Sequence, residues 1–127
     1  MSTVYKRHYT REEARALLPQ LRKWLDQLSL LRDKLADLDE RISRSIGLGD
    51  DLGGSHINAY VTALADTKQI FQEFEQREIQ IKDVDRGLID FPAFIAGREV
   101  FLCWEKDEED VEHWHDLETG YSGREKI

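Results

Sequence analysis

The 127-residue chain has one cysteine, two prolines and no long apolar run. A lone thiol, Cys103, cannot form an internal disulfide, which agrees with a reducing compartment such as the cytoplasm. Without about 20 consecutive apolar residues there is no membrane-spanning helix, and the opening Met-Ser-Thr-Val-Tyr-Lys-Arg-His carries charge with no apolar stretch after it. Basic residues are also scarce. The formal net charge is −8, and it is uneven: residues 1–46 hold ten Lys/Arg against seven Asp/Glu, and the rest hold eight against nineteen. An acidic C-terminal half repels phosphate backbones, so nucleic acid is not an expected partner, whereas cations and basic partners are.

Several reaction motifs are missing as well. The glycine-rich stretch from Gly47 to Ser55 lacks the Gly-Lys-Ser/Thr ending of a phosphate loop, and Asp50 and Asp51 lack the ligand spacing of a calcium loop. Ser122 has no helix after it to build an oxyanion hole. Neither Cys-x-x-Cys nor His-Glu-x-x-His occurs.

What is present points to an α+β fold in a single domain over 1–127. A long antiparallel helical hairpin, coiled-coil-like, is expected over about 10–78, with a small antiparallel sheet of β-hairpins over about 79–116 and a tail over 117–127. Thr10-Arg11-Glu12-Glu13 is a capping box that starts the first helix. From there Leu17, Leu21, Trp24, Leu28, Leu31, Leu35, Leu38 and Ile42 recur at alternating spacings of about four and three, a heptad seam for a helical neighbour. Pro19 inside the pattern predicts a kink or a first segment ending near Leu18. The loop at 47–55 ends this helix, and Ser55 is the expected cap of a second one. A helix over 11–46 is about 54 Å long and one over 56–78 about 35 Å. The shorter helix cannot cover the whole seam, which predicts a homodimer or higher homo-oligomer joined through the N-terminal helix.

Beyond Glu78 the pattern breaks into short β-compatible pieces: Ile79–Lys82, Leu88–Phe91, Glu99–Trp104 and Val111–His115. Pro92 is expected to end or edge the second piece. If Cys103 and His113 flank the acidic run symmetrically, facing residue numbers sum to about 216. Cys103, His113 and His115 then share one face, while Trp104 and Trp114 share the other with Val100 and Leu102. The aromatic face packs on the helices and leaves the Cys/His face, with Glu99 and Glu105, free for a ligand.

That face carries the candidate chemistry. Cys103, His113, His115 and Glu118 supply the S, N and O donors that zinc or another divalent transition metal takes. The alternative is an enzyme that uses His115 as acid–base group or metal ligand, with Asp116, Glu118 and Arg124 around it. The competing structural reading makes Cys103 a small core residue and the histidines hydrogen-bonded supports. The acidic run Glu105–Glu112 reads as a solvated hairpin loop, and Asp83, Asp85 and Asp90 as turn caps.

The run from Lys82 to Pro92, then Gly97-Arg98-Glu99-Val100-Phe101-Leu102-Cys103-Trp104, then Trp114-His115-Asp116-Leu117-Glu118, then Gly120 and Gly123-Arg124, resembles the prokaryotic domain of unknown function 2203. Tyr9-Thr10 through Leu18-Pro19 is similar to its N-terminal signature. Asp107-Glu108 stands where the family pattern has Gly-Glu. The resemblance implies a cytosolic prokaryotic protein and brings no known activity with it.

Overall fold

The computed structural model describes residues 2–47 and 54–127. Two helices, α1 (Arg11–Gly47) and α2 (Gly54–Gln76), precede a five-stranded antiparallel sheet of β1 (Gln80–Asp83), β2 (Leu88–Ile95), β3 (Arg98–Glu105), β4 (His113–Asp116) and β5 (Glu125–Lys126). The strands lie in sequence order, each paired with the next. Most of the glycine-rich loop, residues 48–53, lies outside the described residues.

Helix α1 begins with the capping box the sequence announces. Glu13 N–H donates to Thr10 Oγ1 at 3.1 Å, and Thr10 N–H donates to Glu13 Oε1 at 2.9 Å. The helix does not end near Leu18; it runs through Pro19 without a break. Proline removes one backbone hydrogen bond, but Ala14, Leu18, Leu21 and Leu25 on either side are buried in the core. Their packing holds the helical path. Helix α2 starts at Gly54, so Ser55 lies in its first turn and is not its cap.

Much of the leucine seam meets partners inside the chain. Leu18, Leu21, Leu25 and Leu28 join Ile89, Phe91, Ala93, Val100, Leu102 and Trp104 in one core, so the inner face of the sheet takes the N-terminal half of α1. From Trp24 onward the helix also runs along α2, with the Trp24 and Phe74 ring centres 5.4 Å apart and Leu38 buried further along. The sheet thus takes seam leucines that α2 alone would leave uncovered, while Leu31, Leu35 and Ile42 stay partly exposed.

Helix α2 ends in a Schellman arrangement, with Ile79 N–H to Phe74 O at 3.0 Å and Glu78 N–H to Glu75 O at 3.0 Å. The left-handed position is Glu78, φ 57°, where glycine is usual.

The facing register of β3 and β4 is Cys103 with His113, Leu102 with Trp114, Phe101 with His115 and Val100 with Asp116. This is the expected sum of 216. Strand β2 does not stop at Pro92 but continues to Ile95. β1 pairs with β2 no further along than Asp90, so Pro92 lies on an open edge. Its carbonyl accepts Tyr9 N–H at 2.7 Å, and its nitrogen, pointing to the same side, has no ladder partner to disappoint. The tail is not a tail. Residues 125–126 form β5 on β4, and Ile127 N–H donates to Glu112 O.

Candidate functional site

Directly opposed strand residues share a face of the sheet. Val100, Leu102 and Trp104 point inward to the helices, with Trp114 partly buried beside them. Asp90 on β2 faces Cys103 on β3, and Phe101 faces His115 on β4, so these four lie together on the outer face. That face is not free. Asp90 is 1% exposed, Cys103 0% and His115 2%. The N-terminal segment covers part of it, with the Tyr5 ring 5.4 Å from Phe101, and Phe101 is in turn 5.5 Å from His115.

One donor atom each from Asp90, Cys103 and His115 falls within 4.8 Å of the other two. His115 Nδ1–H donates to Asp116 O at 2.7 Å, since a carbonyl can accept only. Its Nε2 lies 2.9 Å from Asp90 Oδ1. One proton sits between those two atoms, so the pair is either imidazolium with carboxylate or imidazole with carboxylic acid. Burial pushes the Asp90 carboxyl above the ordinary range, and His115 pulls against that shift. Burial also pushes the Cys103 thiol up to about 12, helped by the Asp90 charge and opposed by Arg124, whose Nη1–H points at Sγ from 3.8 Å.

This is not the layout of a thiol hydrolase. A nucleophilic cysteine needs a base on its sulfur and a depressed pKa. Here both ring nitrogens of His115 are bound elsewhere, and the thiol is held protonated.

The sequence-derived ligand set divides. The structure brings Cys103 and His115 together and leaves His113 and Glu118 outside. Glu118 is exposed in the turn after β4. The His113 ring turns toward Glu108 and Arg124: Nδ1 is 3.3 Å from Glu108 Oε2 without hydrogen-bond alignment, and Nε2 is 3.5 Å from Arg124 Nη2. Asp116 spends its side chain on Arg98.

Asp90 departs from its expected place as a turn cap. It caps nothing and lies beside His115, while Asp83 does cap a turn, accepting Arg86 N–H at 3.0 Å. The missed signal is a single carboxylate inside the apolar run Leu88–Ile95.

Glu108 likewise departs from the expectation of a solvated loop. Its carboxylate pairs with Arg124 and accepts Glu105 N–H at 2.8 Å, and its carbonyl accepts Trp104 Nε1–H and Arg22 Nη2–H. Burial raises the Glu108 carboxyl, but Arg124 and the Glu105 amide outweigh it and leave it below the ordinary value. Asp110 binds Arg11 and Arg15, and Lys106 pairs with Asp26. The loop is thus fastened along one face of α1 by residues 11, 15, 22 and 26.

The sequence pattern of an uncharacterized conserved protein family, DUF2203, matches residues 7–127. The chain belongs to that family. The matched span includes Asp90, Cys103, Glu108, His115 and Arg124, so the whole site lies within the DUF2203 region, while residues 3–6 precede it. No curated protein and no solved structure matches the chain.

Proposed function

We propose that the protein is a metal-holding module, with one divalent transition ion bound between Asp90, Cys103 and His115. The observation that carries this reading is the meeting of three chemically different donors in one buried place. Imidazole, thiolate and carboxylate together suit zinc and its neighbours better than magnesium or calcium. Bond lengths of about 2.0–2.3 Å put the donors of a tetrahedral zinc site roughly 3.3–3.8 Å apart. The present spread of 4.8 Å must therefore close by about one ångström, within reach of side-chain rotation.

Charge balance supports the exchange. Without metal, the thiol and the His115–Asp90 pair hold two removable protons and are neutral together. A dication that replaces both protons leaves carboxylate, thiolate and neutral imidazole around it, again neutral. No net charge is brought into the interior, where an uncompensated ion is expensive. His115 Nδ1–H on Asp116 O fixes the tautomer that offers Nε2 to a metal. Arg124 donates toward the sulfur, which favours thiolate, and its own charge is balanced by Glu108. A thiolate-containing site of this kind suits the reducing cytoplasm.

An enzymatic role for His115 is the second reading. Three protein donors leave a fourth position open, as in catalytic zinc centres. Exposure of 2% at His115 favours holding over turnover, because a substrate has no approach to the ring. The test is zinc titration of metal-free protein with a proton-sensitive dye, with cobalt(II) as a spectroscopic probe. The reading expects one ion per chain, two protons released, and a thiolate-to-cobalt band that Cys103→Ser removes. No uptake of zinc, nickel or cobalt at pH 7–8 overturns it.

Assembly is the second part of the proposal, now placed on α2. Ile57, Val61, Leu64 and Phe71 are 38%, 58%, 46% and 41% exposed. Their spacings of four, three and seven form a second heptad stripe, beside the one that meets α1. Between Ser55 and Gln72 the helix carries only Asp66 and Lys68 as charges. Such a stripe fits the same stripe of a second copy in antiparallel orientation, since an isologous contact needs one self-complementary patch.

A further inference from the structure

A site whose three donors are all but unexposed needs a way in, and one covering that forms no strand with the sheet is the segment before α1. Tyr9 marks where it turns. Its ring lies in the core against Phe91, on the inner face, and its N–H bonds the Pro92 carbonyl at the open edge of β2. From that edge, residues 8 back to 3 cross to the outer face. The His8 ring stacks on Phe94 at 4.1 Å between ring centres, and Tyr5 lies over Phe101. Phe101 is in turn 5.5 Å from the His115 ring, so Tyr5 stands one side chain away from the donor cluster.

Residues 3–8 form no strand with the sheet. Two carboxylates hold the segment instead. Glu99 accepts Val4 N–H at 2.8 Å and Tyr5 N–H at 3.0 Å, and it bonds His8 Nε2 at 2.7 Å. Glu78 accepts Lys6 N–H at 3.0 Å and Arg7 N–H at 2.9 Å. Glu78 does so from the left-handed backbone position that ends α2, a conformation that costs a non-glycine residue roughly 1–2 kcal/mol. Strain retained at a residue with a specific contact is the pattern of a functional clamp.

We infer that residues 3–8 are a strap that closes the Asp90/Cys103/His115 site, latched by Glu99 and Glu78, and that release of the strap admits and discharges the ion. The identity of the ion rests on the metal reading; the strap itself does not. Side-chain latches suit such a part, since four backbone N–H groups can be let go together without breaking any sheet ladder.

The experiment uses the single cysteine. Cys103 in the metal-free full chain is reacted with a disulfide reagent such as 5,5′-dithiobis(2-nitrobenzoate), and the rate is compared with global stability from urea unfolding. Glu99→Gln keeps the shape but offers one acceptor oxygen in place of two, and Glu78→Gln does the same at the second latch. The strap expects each variant to speed thiol labelling by tenfold or more, with a urea midpoint close to that of the parent. In zinc-loaded protein the same variants should release zinc to a chelator faster by a similar factor. Labelling within twofold of the parent overturns the strap. So does acceleration that merely follows lost global stability, or acceleration by Arg124→Gln equal to that of the latch variants, which would place the entrance at the C-terminal side. If zinc never binds, the metal reading falls and the thiol rates still decide the strap.

Discussion

Asp90 Oδ1 and His115 Nε2 lie 2.9 Å apart, both residues are at most 2% exposed, and a single proton serves both atoms. With the Cys103 thiol pushed up to about 12, the cluster holds two protons at neutral pH that a dication must displace. Metal affinity should then rise steeply with pH, by about two log units per pH unit between pH 6 and 8. Competitive titration against a chelator of known affinity measures the slope. A slope of one would mean that the thiol or the pair does not take part.

His115→Gln should abolish zinc retention. It also removes the ring that satisfies Asp90 in the interior, so the fold should lose about 2–3 kcal/mol. Urea unfolding of metal-free protein separates that loss from the loss of binding.

Glu108 ties stability to acid. Its carboxyl is held below the ordinary 4.5, so the folded state binds its proton less readily than the unfolded state. The contribution is present in full above the unfolded value and is lost as pH falls through the folded one. Stability should therefore drop below about pH 4.5, and Glu108→Gln should show a shallower drop from a start about 2 kcal/mol lower, because Arg124 is left half-buried without its partner. Thermal unfolding at a series of pH values checks both.

The β2–β3 turn offers a gain. Ala96 and Gly97 both have positive φ, 52° and 78°, as a two-residue turn of the primed type requires. Alanine is strained there and asparagine is favoured. Ala96→Asn should add about 0.5–1 kcal/mol, seen as a rise of a few degrees in thermal midpoint. Gly87→Ala should do the reverse. An added Cβ would stand 2.4 Å from Lys106 Cβ at φ 66°, and a loss of about 2–3 kcal/mol is expected.

Val61→Glu with Leu64→Glu should leave a well-folded monomer, since both side chains are about half exposed in the single chain. Light scattering that shows monomer for the parent as well would remove α2 as the assembly face.

Local signals were the legible ones. The Thr10–Glu13 cap, the switch of period after Glu78 and the 216 register each depend on residues close in sequence or on one hairpin's symmetry, and the two tryptophans took the inner face for the same reason. Asp90 stands 25 residues from His115, and nothing in its own strand says which strand will lie two places away. His113 shares the face of Cys103, yet its ring follows Glu108 and Arg124, which β5 brings across. The sheet's hold on the first half of α1 was invisible to a heptad count, because a helix facing two neighbours repeats much as one facing a single neighbour does.

Val4 and Glu99, whose contact helps fasten the strap, stand 95 positions apart. During synthesis residues 3–8 are made well before Phe94, Glu99 and Phe101, their landing place. The segment must wait on the ribosome's schedule until that landing place is out. Cys103 and His115 leave the ribosome later still, so the landing place of the strap is complete before two of the three residues of the cluster exist, and the cluster is assembled only once β4 has folded onto β3.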